Sequence, residues 1–121
     1  MKEIDIFSYQ GDGYQPMLDF HDWRVAFLRY AERFDPTYIR KMERHLETDE
    51  VFVLLQGKAL LVIGDQKEVY PLEPQKLYNV KQGIWHAVCV SKDALLLIVE
   101  NRNTSMENTE YKSIDRLEVK L

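Results

Sequence analysis

From Trp23 onward the chain alternates short runs rich in β-branched, aromatic and aliphatic residues with turn-forming residues, the spacing of an all-β domain. The runs are Trp23 to Tyr30, Thr37 to His45, Val51 to Leu55, Ala59 to Ile63, Glu68 to Leu72, Lys76 to Val80, Trp85 to Val90 and Ala94 to Glu100. Asp35-Pro36 breaks the chain between the first two, and Pro71, Pro74, Gly83 and Ser91-Lys92-Asp93 punctuate the later ones. Val51 to Leu55 and Ala59 to Ile63 are nearly continuous in apolar residues, a pattern that a buried helix shares with a buried strand, but Gly57 and Gly64-Asp65 argue for strands. Seven or more short strands follow from this pattern. A sheet of that many strands limits its exposed edges by closing into a barrel or packing as a sandwich.

Outside that region the pattern weakens. Residues 1–22 carry Gly11, Gly13 and Pro16 and read as a short lead-in element followed by a loop that covers the barrel. The stretch from Asn101 to Glu110 is polar and reads as a surface loop. A last short element, Ile114 to Leu121, reads as an edge strand or a dimer arm. No repeat of fixed period and no low-complexity tract occurs.

At 121 residues the chain fits a single domain, residues 1–121, with the barrel core at about 23–100. Hydrophobic residues at 45% supply a core and charged residues at 30% supply a soluble surface, which excludes a disordered chain. The 16 basic and 20 acidic residues leave a net charge of -4, with no Lys/Arg block to track phosphates, so nucleic acid is not an expected partner. The single cysteine, Cys89, forms no intrachain disulfide and no cysteine-rich zinc site, which suits a reducing compartment. Met1-Lys2-Glu3-Ile4-Asp5 contains no apolar signal core, and no apolar stretch is long enough to span a bilayer. A cytoplasmic location without membrane attachment is expected.

With three histidines, position is informative. His21 falls in the lead-in segment and reads as a surface or lid residue. Glu43 and His45 are two residues apart, so on an extended strand both side chains face one side of the sheet. Glu50 follows the polar turn Glu47-Thr48-Asp49, and a hairpin there would return it beside that pair. His86 has to arrive from a distant strand. Together these four offer two imidazoles and two carboxylates, a donor mixture suited to Mn, Fe, Ni, Co or Zn and less to Ca or Mg. The competing readings are an ion pair of Glu43 with Arg40, Lys41 or Arg44, and a turn-capping role for Glu50. Trp85 reads as a core or dimer contact. Arg24, Arg29, Arg40 and Lys41 could each turn inward and clamp a carboxylate, and Tyr30 and Tyr38 could each bond a ligand; alternation alone leaves their directions open.

Glu43-Arg44-His45-Leu46-Glu47-Thr48-Asp49-Glu50, followed after six residues by Gly57, resembles the first cupin motif, HxH, three or four residues, E, six residues, G. Glu43 stands where that motif has its first histidine. Lys81-Gln82-Gly83-Ile84-Trp85-His86 resembles the second motif, PxGxxH with N three residues on, with Lys81 for the proline and Val90 for the asparagine. Motifs and intervening strands span roughly residues 37 to 100 in the family's order. The resemblance implies a cupin-type β-barrel (jelly roll) with short terminal extensions, and metal ligation by Glu43, His45, Glu50 and His86. Within the family, Met42-Glu43-Arg44-His45 and Asn79 through Gly83-Ile84-Trp85-His86 resemble the paired signatures of the ureidoglycolate lyases, which release urea and glyoxylate; Leu46 replaces the proline expected there and Glu50 a neutral residue.

The expected function is that of a small cytoplasmic cupin holding a small polar metabolite, one that bears a carboxylate, in an interior pocket. In the enzymatic version a lyase or isomerase step would use Glu43, Glu50 and His86, with a divalent metal or without one, and no organic cofactor. The alternative is a non-catalytic binding or sensing module, since one fold hosts both. Pairing through an edge strand makes a homodimer the expected assembly.

Overall fold

The computed structural model describes residues 3–121; Met1 and Lys2, the start of the lead-in segment, lie outside the described residues. Ten strands occur among the described residues: β1 (Tyr14–Phe20), β2 (Trp23–Arg29), β3 (Lys41–His45), β4 (Glu50–Gln56), β5 (Ala59–Ile63), β6 (Glu68–Pro71), β7 (Tyr78–Val80), β8 (His86–Val90), β9 (Leu95–Asn101) and β10 (Thr109–Ser113). Single turns of helix stand at Glu32–Phe34 and Met106–Asn108. The strands form two five-stranded sheets, a front sheet in the order β1-β2-β9-β4-β7 and a back sheet in the order β10-β3-β8-β5-β6. All neighbouring strands pair antiparallel. The all-β class expected from the run pattern is therefore the class observed.

Period-two alternation explains how the sheets meet. On the front sheet Ala26, Leu28, Phe52, Leu54, Leu96 and Ile98 point inward, and they meet Ala59, Leu61, Val88 and Val90 of the back sheet in one buried cluster. Phe52 is 1% exposed and Leu96 fully buried; burying such a side chain stabilises the fold by about 1.5–3 kcal/mol. The back sheet buries its other face too. Met42, Leu60, Val62, Ala87 and Cys89 form a second cluster with Ile39 and Leu117. This double burial is why the β5 and β8 sequences run continuously apolar instead of alternating.

Both terminal regions differ from expectation. The lead-in loop contains β1, an edge strand on β2, and Pro16 sits where the β1–β2 register shifts; proline lacks the ladder donor and is tolerated at an edge bulge. At the other end the polar stretch holds β10, paired over five residues with β3. Ile114 to Leu121 is not a strand. Ile114, Leu117 and Val119 instead pack on the outer face of the back sheet, because that face is apolar and needs cover.

Candidate metal centre

β3 carries Glu43 and His45 on its inward face, and His86 opens β8 directly opposite Glu43 in the register. Glu50 comes from the other sheet. β3 and β4 do not form the hairpin expected around Glu47-Thr48-Asp49; that segment crosses from back to front sheet, and β4 pairs with β7 and β9. Glu50 shares inward parity with Phe52 and Leu54 and so reaches the same place across the interior. The four residues each offer a donor atom within 4.8 Å of the others.

Glu50 Oε1 lies 3.1 Å from His45 Nε2 and 3.0 Å from His86 Nε2. Glu43 Oε1 stands 3.6 Å from His45 Nε2 and 4.0 Å from His86 Nε2. His86 Nδ1–H donates to the Ile84 carbonyl at 3.0 Å, and His45 Nδ1 lies 2.9 Å from the Thr109 hydroxyl. Both rings are thus oriented from behind, with Nε2 facing the shared centre, the arrangement that supports metal-ligating histidines. Glu43 forms no ion pair with Arg40, Lys41 or Arg44; Arg44 pairs with Glu110.

Burial opposes charge throughout this group, yet mutual contacts outweigh it. Burial disfavours the Glu50 carboxylate, but hydrogen bonds from His45 and His86 and their charge hold its pKa well below the usual carboxylate range. Burial likewise disfavours both imidazolium forms, and the contact with Glu50 raises both pKa values above the ordinary histidine value. The centre therefore accommodates positive charge between its donors. A divalent transition metal with bonds of about 2.1 Å separates its ligand atoms by roughly 3–4 Å, which matches the carboxylate–imidazole spacings here. The donor set fits such an ion.

A second polar group shares the cavity. Arg24 and Glu100 are register partners on β2 and β9, joined by an ion pair of 3.0 Å, and the Tyr14 hydroxyl donates to the same carboxylate. Glu100 lies one step beyond the Val51–Val99 pair, beside Glu50. Burial, then the Glu50 charge, raises the Glu100 pKa, and burial with the neighbouring Glu100 raises that of Tyr14. Parity carried the signal for two of these: Arg24 precedes Ala26 and Leu28 on the same face of β2, and Glu100 follows Leu96 and Ile98 on that of β9. Tyr14 was hidden in a segment whose glycines and proline read as loop.

The cavity enclosing both groups measures ≈ 640 Å³. Its exposed rim includes Arg33, Tyr38, Arg40, Lys41 and Tyr111. None of these three cations has a carboxylate partner among the described residues; Lys41 stacks over the Tyr111 ring and Arg33 over Phe34. Other candidates lie elsewhere. Arg29 points outward and bonds the Tyr9 carbonyl, Tyr30 donates to Asp35, and His21 is exposed at the β1–β2 turn. Trp85 packs against the back-sheet cluster between the cations of Arg44 and Lys112.

No family model and no curated protein sequence matches the chain. Solved structures do. A cupin-2 domain containing protein from Shewanella frigidimarina is 18% identical with a TM-score of 0.60, covering 78% of this chain and 85% of that one. KdgF from Halomonas is 15% identical with a TM-score of 0.60, covering 76% and 79%. Streptomyces Pac13, described as a nucleoside dehydratase, is 6% identical with a TM-score of 0.63, covering 91% and 93%.

Proposed function

Given that this chain has the cupin fold, we propose that it is a cytoplasmic cupin that holds a divalent transition metal on Glu43, His45, Glu50 and His86 and acts on a small anionic metabolite. The observation that carries this reading is the convergence of two Nε2 atoms and two carboxylates in the lining of a ≈ 640 Å³ cavity. An ion held there would supply Lewis acidity toward a ligand oxygen. The chain's own residues do the rest. Arg33, Arg40 and Lys41 attract a carboxylate at the rim. Glu43, whose side chain is 39% exposed, is the least committed donor, and when it does not ligate the ion it can take a proton from the ligand. Glu100, ion-paired to Arg24 and accepting from the Tyr14 hydroxyl, fixes that hydroxyl and guanidinium inside the cavity where they can bond the ligand.

These parts suit a lyase or isomerase step on a hydroxy acid. Ureidoglycolate is the first substrate to test, on the strength of Met42-Glu43-Arg44-His45 and Gly83-Ile84-Trp85-His86. A metal-free acid–base reading is favoured by one specific contact: Glu50 Oε1 is shared by both imidazoles, so a carboxylate base and an imidazolium acid, Glu50 and His86, already touch. Mass-spectrometric metal analysis after chelator-free purification separates the two. About one equivalent supports the metal reading; less than roughly a tenth, with no rebinding, removes it. A thermal-shift screen of small carboxylates, ureidoglycolate included, then finds ligands, and turnover of each hit decides between an enzyme and a binding module.

A further inference from the structure

The cavity face of the β3–β10 ribbon is graded from mouth to floor. Its rungs pair Lys41 with Ser113, Glu43 with Tyr111 and His45 with Thr109, and all six residues line the cavity. Exposure falls in that order: the first pair is exposed, Glu43 is half-buried beside the exposed Tyr111, and the last pair is buried. Two residues of strand advance about 6.7 Å, so Lys41 stands that far outward of Glu43. The Lys41 ammonium lies 4.3 Å from the centroid of the Tyr111 ring. Burial and the Glu43 charge raise the Tyr111 pKa while the Arg33 charge opposes them, so both charges lie near its hydroxyl. Tyr111 therefore stands between the rim cations and the four donors.

The charges lining this cavity do not cancel. Arg24 is paired with Glu100, and Glu43 and Glu50 face His45 and His86, where a divalent ion would answer both carboxylates. Arg33, Arg40 and Lys41 remain, without a carboxylate partner among the described residues, in a protein whose net charge is -4. Three such cations at one mouth exceed what a single carboxylate satisfies. A phosphate monoester brings about -1.5 to -2 of charge and three strong acceptor oxygens. Arg40 already donates to the Thr37 and Ile39 carbonyls, which leaves Lys41 and Arg33 as the less engaged pair. Ammonium and guanidinium groups both suit phosphate. The cavity, at ≈ 640 Å³, also has more room than a two- or three-carbon acid takes up.

We propose that the ligand is a two-headed anion: a hydroxy acid whose carboxylate end faces the four-donor centre and whose other end carries a phosphate monoester held by Lys41 and Arg33. The inference rests on the cavity being the site of an anionic metabolite and names its class. The offset between Lys41 and Glu43 sets the spacing of the two heads, a gap that a chain of about four bonds crosses.

Isothermal titration calorimetry on the full chain, zinc-loaded and chelator-stripped, in phosphate-free buffer tests this with D-glycerate, D-3-phosphoglycerate and L-malate. The zinc-loaded protein should bind 3-phosphoglycerate at least about 30-fold more tightly than glycerate and more tightly than malate. Lys41→Gln with Arg33→Gln should shrink that preference to within about three-fold. Lys41→Arg should keep it. All three positions altered are exposed rim sites, and an unchanged Tm confirms that the variants fold. Zinc content, measured on the same samples, reports on the metal centre separately. A protein that takes no zinc yet prefers 3-phosphoglycerate loses the metal reading and keeps this one. No heat from 3-phosphoglycerate, a wild-type preference under about three-fold, malate bound as tightly, or a double variant that keeps the preference would overturn the proposal.

Discussion

Glu43 and His86 are the single register pair that joins β3 to β8. That one rung aligns a carboxylate and an imidazole from segments far apart in the chain and places both in the lining of the cavity. His45 follows from Glu43 by strand parity, and Glu50 enters from the facing sheet. Each donor's position therefore has a separate structural origin, which makes the centre testable residue by residue.

Substituting a donor should empty the centre, whereas substituting a cavity neighbour should not. His86→Ala and Glu50→Gln are expected to drop metal content from about one equivalent to under a tenth. Glu100→Gln should keep the full complement, because its carboxylate is engaged by Arg24 and Tyr14. Thr109→Val, which removes the group behind His45 Nδ1, should loosen metal binding roughly 10–100-fold. Titration of the chelator-stripped protein with zinc reads all four.

The C-terminal cover predicts a stability cost. Leu117 is 6% exposed on the outer face of the back sheet. Leu117→Ala should destabilise the fold by about 2–4 kcal/mol in urea unfolding. A loss below half a kcal/mol would mean that the segment does not cover that face.

Gly57 permits little else at its position. Its φ is +77°, and an added Cβ would lie 2.7 Å from the Ala94 Cα. Gly57→Ala combines strained backbone with a clash against main chain, so a loss of more than about 1 kcal/mol is expected, visible as a lowered Tm. At Gly83 φ is similar but nothing lies within 4 Å, so alanine there should cost less.

The crossing between sheets is pinned by a carboxylate, and this gives a pH dependence. Asp49 accepts hydrogen bonds from the Asn79 side chain and the Gln82 backbone N–H, and these lower its pKa. A folded-state pKa below the unfolded one adds stability that is fully present above about pH 4 and is lost as pH falls through the folded value. Asp49 is exposed, so the contribution stays under about 1 kcal/mol. Asp49→Asn should therefore weaken the protein slightly at neutral pH, with the difference from wild type shrinking as pH falls below about 4. A difference unchanged by acid would show that Asp49 acts through shape and not charge.

The strand runs were legible because alternation and turn residues report burial on one face. All four donors were legible as candidates, since Glu43 and His45 share parity and His86 follows a glycine turn. Their assembly was less so. A hairpin is the default for two runs joined by a short polar turn, and nothing in Glu47-Thr48-Asp49 announces a crossing between sheets. Arg24 and Glu100 end inward-facing apolar series, but polar residues at strand ends face solvent more often than not. β1 was obscured by Pro16, whose place at a bulge depends on edge position, a property of the sheet and not of the local sequence.

β3 is tied to β10 by five rungs and to β8 by one. β3 and β10 form a ribbon whose ladder to the body is a single rung, supplemented by the Gly83 N–H bond to the His45 carbonyl and by Met42 in the outer cluster, and Glu43 and His45 ride on that ribbon while Glu50 and His86 belong to the body. Whatever draws these four groups together also fastens the seam, so occupancy of the centre and slow amide exchange along β3 should rise and fall in step.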